Sequence, residues 1–284
     1  MIEYELRGAT YHVDLTAEDG ILHADPTIVE AVNNSLQTTF QALTSGGRSS
    51  ATDPRFPMNG FIRGHRSYRP LAHLLNKIID TANQYVPRSQ LSELRFHPFV
   101  GEIKETFGSH RGLKLDGAGI IGLGNLSTKM KKPAEEPANE PELSWEQIKV
   151  HIESNASVGD MLQQSGTYAH LFLLSNQRNF FSLGIGFDYK KLEAYVLAFH
   201  RSGLSSSQSL KLTTSKGFKG LVRHIVGILS LKEEAAYGLD TMHFQKFFCI
   251  NDCYYEVVNL LYCESLWGRS AVTYHLQGMY TCRF

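Results

Sequence analysis

Cysteine is scarce in this 284-residue chain: Cys249, Cys253, Cys263 and Cys282 are all there is, and no two of them form a C-x-x-C pair. That spacing supports no disulfide framework. A zinc site built from Cys249, Cys253 and His243 matches no common ligand pattern, so packed cysteines on apolar strands are the better reading. Such usage suits a reducing compartment, and an intracellular protein, cytoplasmic or nuclear, is expected. Charge of one sign is also missing. Lys and Arg total 28 against 28 Asp and Glu, so no global field draws the chain to nucleic acid or to an anionic membrane. The basic run "KMKK", Lys129 to Lys132, is followed at once by acidic residues and reads as a solvated loop. No apolar run reaches bilayer-spanning length, and "MIEYELRGATYHVDL" lacks the pattern of a secretory signal. G-x-S-x-G, H-E-x-x-H and internal repeats are absent as well, which leaves serine and zinc hydrolase chemistry without support.

What the chain does have is alternating helical and strand-like patterning over an apolar fraction of 42%, ample for a real core. "DPTIVEAVNNSLQTTFQAL" reads as a helix with Asp25 as N-cap and Pro26 at its first position. "TSGGRSSATDP" after it reads as a loop. In "RSYRPLAHLLNKIIDTANQY", Leu71, Leu74, Leu75, Ile78 and Ile79 fall on one helical face. "LKLDGAGIIGLGN" looks like a strand with glycine-rich ends, and "STKMKKPAEEPANEPELS" is a charged, proline-bearing loop without periodicity, expected to be disordered. "SVGDMLQQSGTYAHLFLLSNQ" has helical spacing, weakened by Gly166. "FFSLGIGFDY" and "KLEAYVLAFHRSG" predict a hairpin turning at Asp188 to Lys191. "SKGFKGLVRHIVGILSL" predicts another amphipathic helix, and the tail from "YYEVVNLLY" onward predicts two or three strands.

One strand carries the chemical question. In "WEQIKVHIESNAS", Trp145, Ile148, Val150 and Ile152 supply the apolar residues and Glu153 closes the run. A strand-end carboxylate with an aspartate upstream, here Asp116, is how many metal-dependent nucleases hold a divalent ion such as Mg2+, which activates water and neutralises charge on the phosphorane. Gln164 and Tyr168, one helical turn apart in the next helix, would face that site. Glu102 or Glu105, placed on a preceding helix, would offer a third carboxylate. Such sites also want a lysine two residues after the glutamate, where this chain has Asn155. An amide cannot replace the ammonium. Lys149 shares the strand face with Glu153 but lies about 13 Å along it, too far to serve. The competing reading is bland: Glu153 as a solvated strand-end carboxylate and Asp116 as the opener of a turn before glycine. The site is therefore expected to be degenerate, with Asp116, Glu153, Asn155, Gln164 and Tyr168 as its members and Asp116 and Glu153 as its metal candidates.

Strung in order, "YRPLAHLLNKI", "LKLDGAGI", "WEQIKVHIES", "QQSGTYAHLFLLSNQRNFFSLGIGF", "AYVLAFHRSGLSSSQSL", "GFKGLVRHIVGILSLKEEAAYGLD" and "LLYCESLWGRSAVTYHL" resemble the fungal-type protein kinase family, over roughly residues 60–280. The resemblance implies two units in series, a restriction-endonuclease-like α/β domain and a protein-kinase domain that uses ATP. It implies that "SLWGRSAVTYHL" opens the kinase N-lobe, with a phosphate-covering turn at Gly268, Arg269 and Ser270. An ordinary strand turn explains a lone glycine equally well. H-R-D and D-F-G are absent, and the chain stops at Phe284, about where the lysine strand would begin.

The resulting expectation is an α/β (α+β) protein with a mixed sheet flanked by helices and a restriction-endonuclease-like core. Residues 1–90 would form a mainly helical section, residues 91–245 the endonuclease-like domain with a disordered loop about 128–143, and residues 246–284 the start of a kinase-like N-lobe. As it stands the chain is expected to be a non-catalytic scaffold or regulatory module without kinase activity, whose partner is a protein or the missing kinase lobe. The alternative is a nuclease-like domain of weak, Mg2+-dependent activity. ATP would enter only with a complete kinase domain.

Overall fold

A computed structural model describes residues 10–17, 20–44, 68–87, 90–98, 102–103, 113–121, 147–175, 179–200, 203–232, 237, 247–250, 253–263 and 272–281. The expected loops at "TSGGRSSATDP", apart from its first residue Thr44, and at 128–143, and the residues Glu105, His243, Gly268, Arg269 and Ser270, lie outside them.

After a short strand β1 (Thr10–His12), the chain enters a helix where the sequence predicts one. Asp25 is extended at φ −61°, ψ 119° and its carboxylate accepts the Thr27 N–H at 2.8 Å, with Pro26 beginning helix α1 (Pro26–Ser35). The single helix expected over "DPTIVEAVNNSLQTTFQAL" is in fact two, because the run Asn33-Asn34-Ser35 has weak helix propensity. The chain turns at Leu36 (φ −96°, ψ 11°) before α2 (Gln37–Thr44), and burial of the Leu36 side chain fixes that corner to the core. Helix α3 (Tyr68–Tyr85) buries Leu71, Leu74, Leu75, Ile78 and Ile79, the face that the 3.6-residue spacing selects.

The fold is mixed α/β. Its main sheet runs β1-β9-β8-β7-β6-β5-β2, with β10 (Leu210–Lys211) pairing β8 off that path. Strand β2 (Leu94–Pro98) is antiparallel to β5 (Gly117–Ile121), which is antiparallel to β6 (Ile148–Asn155). Helix α4 (Val158–Ser175) then crosses over, so that β7 (Phe181–Asp188) lies parallel to β6. β8 (Glu193–His200) and β9 (Gly203–Ser206) follow as antiparallel neighbours, and β1 closes the far side parallel to β9. The predicted β7–β8 hairpin forms: Asp188 Oδ1 accepts the N–H groups of Lys190 at 2.9 Å and Lys191 at 3.1 Å, and Leu192 takes the left-handed φ of 55°.

Alternation divides the sheet into two faces. Val150, Ile152, Leu183, Ile185, Phe187, Ala194, Val196 and Ala198 join one large core with α1, α3 and α5 (Ser215–Leu229), which pack on one another. Leu15, Leu22, Val29 and Val32 from the N-terminal section enter this same core. Helix α4 lies on the opposite face, where Ala169 meets Leu197, Phe199 and Leu204. Its close approach explains Gly186 in β7, where a Cβ would fall 2.5 Å from Met161 Sδ, while at Gly184 a Cβ would fall 2.4 Å from Nε2 of His151 on the neighbouring strand β6.

Two small antiparallel sheets complete the described residues. β3 (Glu102–Ile103) pairs with β4 (Leu113–Lys114), so Glu102 sits on a strand and not on the helix expected for it, its backbone bonded across to Lys114. The tail forms the larger of the two, β11 (Phe247–Ile250), β12 (Cys253–Cys263) and β13 (Val272–Thr281), in that order. Cys249 opposes Tyr254 and Cys253 opposes Ile250 in the first of these pairings.

Candidate functional site

The register of β5 on β6 decides the site. Gly117 pairs with Ile152, so the preceding residue, Asp116, comes opposite Glu153 on the antiparallel neighbour. The two carboxylates were distant in sequence and are now side by side. Asp116 is braced there by the Ser154 N–H, which donates to its Oδ2 at 2.9 Å.

Alternation turns His151, Glu153 and Asn155 toward α4 while Val150 and Ile152 face the large core. Glu153 is only 4% exposed. It is not the solvated strand-end carboxylate of the bland reading, because the strand continues to Asn155 and α4 covers it. Burial, reinforced by the negative Asp116 opposite, pushes the Glu153 carboxyl up to about 8, with a hydrogen bond from Tyr168 acting in the other direction. Glu153 therefore carries a proton at neutral pH. Asp116 is also raised, by burial first, against the pull of the Ser154 N–H. The Tyr168 phenol is raised too, by burial and then by both carboxylates, and stays protonated.

Gln164 and Tyr168 lie one turn apart on the face of α4 that meets β6, as the spacing predicts. The amide of Asn155 is committed: Oδ1 accepts the Ala156 N–H at 2.7 Å and the Ser157 N–H at 3.4 Å, and Nδ2 donates to Gln164 Oε1 at 3.3 Å. Where a nuclease would carry a cation, this chain has a side chain that shapes the turn from strand to helix. All five predicted members thus meet at one end of β6.

The sequence reading passed over His151. It sits two residues before Glu153 on the same face, buried, with its ring 6.0 Å from Tyr168 and 5.8 Å from Phe199. Burial lowers its pKa to about 3, although the Leu183 backbone favours the charged form, and Nε2 has no hydrogen-bond partner. The period-two pattern of "KVHIES" was the signal that could have placed it beside Glu153.

No family model, curated protein or solved structure matches this chain. Its own geometry is the guide to function. A divalent ion implied by a nuclease reading would be held by the carboxylates of Asp116 and Glu153. Among the described residues no group of three or more His, Cys, Asp or Glu side chains converges on a metal position. Lys149, the nearest cation along β6, remains four residues away, roughly 13 Å by strand geometry. No helix among the described residues is long and apolar enough to cross a membrane.

Proposed function

We propose that this chain is a restriction-endonuclease-like scaffold that keeps the carboxylate pair but not the catalytic cation, and works as a non-catalytic interaction or regulatory module. What supports the fold reading is the succession α3–β2–β5–β6–α4–β7, three antiparallel strands followed by a crossover to a parallel fourth. It is the order in which such domains present an aspartate and a glutamate at one end of the sheet. The observation that supports a non-catalytic reading is the amide of Asn155, which stands where such a site would want a lysine and is bonded to the Ala156 and Ser157 N–H groups and to Gln164.

The same order of motifs underlies the further proposal that the chain is the front portion of a fungal-type protein kinase, its partner a kinase lobe or another protein. A phosphate-covering turn at Gly268, Arg269 and Ser270 belongs to that proposal, and ATP would bind only with a complete kinase domain. The deciding experiment incubates the pure chain with single- and double-stranded DNA and with RNA, in Mg2+ and in Mn2+. No cleavage is expected. Cleavage by the wild type that Glu153→Ala abolishes would establish a working nuclease and overturn the scaffold reading.

A further inference from the structure

The chain carries 28 acidic residues in 284, about one in ten, yet residues 194–232 contain none. That stretch builds most of β8, then β9, β10 and α5, and it holds six cations: Arg201, Lys211, Lys216, Lys219, Arg223 and Lys232. A block of one sign inside a chain of balanced charge makes a local field that the net charge conceals. The fold covers one flank of it with acids from the N-terminal section. Glu30 on α1 pairs with Lys219, and Asp14 Oδ2 lies 3.7 Å from Arg223, whose guanidinium also donates to the Thr16 carbonyl at 2.8 Å.

The flank at the start of α5 lacks such cover. The Leu212 N–H donates to the Leu192 carbonyl at 2.8 Å, so β10 lies against the turn that carries Lys190 and Lys191. A Cβ at Gly217 would fall 2.1 Å from the Lys211 carbonyl oxygen, so the first turn of α5, with Lys216, is packed against Lys211. All four lysines are exposed. Residues 188–219 contain two acids, Asp188 and Glu193. Asp188 is buried and accepts the Lys190 and Lys191 N–H groups, with the Lys191 ammonium at 3.7 Å. Glu193 is half-buried opposite Lys211 and accepts from the Tyr195 hydroxyl at 3.1 Å. Among the described residues, Lys190, Lys211 and Lys216 make no ion pair.

We propose that Lys190, Lys191, Lys211 and Lys216 form a docking surface for an acidic segment of a partner protein. The fold itself shows the chemistry that covers the acid-free stretch, since Glu30 and Asp14 do so on the neighbouring flank. A nucleic-acid backbone is the poorer fit. Glu193 interrupts the cations with a negative charge, and Tyr189, the aromatic of the turn, packs against the core instead of standing out as a stacking platform. Pairs between exposed side chains are individually weak and screened by salt, so the complex forms fast, is short-lived and is salt-sensitive. The inference rests on the interaction-module reading and names the partner's chemistry; the carboxylate pair on β5 and β6 takes no part in it.

The test uses the full 284-residue chain without divalent metal. Fluorescence anisotropy follows a labelled peptide of alternating Glu and Ser, about twelve residues long, and a single-stranded RNA of the same charge, at about 50 and about 300 mM salt. The peptide is expected to bind at the lower salt and to weaken on the order of tenfold at the higher. The triple variant Lys190→Ala, Lys211→Ala, Lys216→Ala should weaken it on the order of tenfold or more. Lys219→Ala, which removes an ammonium already paired with Glu30, should stay within about twofold of wild type. No binding by the wild type, equal binding by the triple variant, or RNA held more tightly than the peptide would each overturn the proposal. None of these results bears on cleavage, so the scaffold reading stands or falls on the nuclease assay alone.

Discussion

Replacing Glu153 by Gln keeps the shape of the side chain and removes its titration. In the fold the Glu153 carboxyl holds its proton up to about 8, against 4.5 for an unperturbed glutamate. Between those values the native state binds the proton more tightly than the unfolded chain does. Stability must then fall as pH rises, with a slope approaching 1.4 kcal/mol per pH unit, about 4 kcal/mol in all between pH 5 and pH 8.5. The side chain is almost fully shielded, so solvent screening does little to reduce this figure. Set against a typical domain stability of about 5–15 kcal/mol, the effect is large. Wild type alone would hide part of it. His151 is lowered to about 3 from an ordinary 6.5, so its burial in neutral form costs stability as pH falls below 6.5, the opposite sign over the acid half of the same range. The difference between Glu153→Gln and wild type cancels His151 and isolates Glu153. Urea unfolding of both proteins at half-unit steps from pH 5 to pH 8.5 measures it. The variant should gain on the wild type by about 4 kcal/mol across that range. Curves parallel within about 0.5 kcal/mol would mean that Glu153 is solvated and ionised in the folded chain, and the account of the site would fall with it.

Three other substitutions probe the fold around the site. A Cβ at Gly217 would stand 2.1 Å from the Lys211 carbonyl oxygen, which is backbone and cannot swing away, whereas one at Gly186 meets only the end of the flexible Met161 side chain. Gly217→Ala should therefore lose about 3 kcal/mol or more and Gly186→Ala about 1–2 kcal/mol in urea unfolding, and the reverse ranking would contradict the packing. Asp25→Ala removes the acceptor for the Thr27 N–H at the start of α1, and a loss of about 1 kcal/mol is expected by thermal or urea unfolding.

Much of the fold was legible because its signals were local. Apolar periodicity fixed α3 and α5, the Asp25-Pro26 pair fixed the start of α1, and the turn chemistry after Asp188 fixed the β7–β8 hairpin. What the sequence could not supply was register. Nothing in "LKLDGAGI" or "WEQIKVHIES" says that Asp116 comes opposite Glu153; that depends on which residues of β5 and β6 pair across the 26 intervening residues from 122 to 147. Whether Glu153 is solvated was undecided for the same reason. A carboxylate at the end of an apolar run is open or shut according to what lies over it, and α4 lies over this one, with Gly186 of the neighbouring strand leaving room for its Met161. The break at Leu36 is a smaller case: periodicity continued through it, while three polar residues of poor propensity and a buried corner leucine outweighed the period.

Asn155 joins these observations. At the position where an endonuclease-like site would place its ammonium, the side chain instead accepts the first N–H groups of the turn into α4 and holds Gln164 across from it. A lysine there would give up the cap, since an ammonium has no acceptor, and would bring a positive charge beside two carboxyls that share little water. With Asn155 in place there is no such charge, and the carboxyl of Glu153 reaches neutrality by keeping its proton and taking the hydrogen bond of Tyr168. The substitution and the raised pKa are therefore two sides of one arrangement: without an internal cation, a buried pair of carboxyls is tolerable only when one of them is neutral. A site organised in that way ties the junction of β6 and α4 together through Asn155, Gln164, Glu153 and Tyr168.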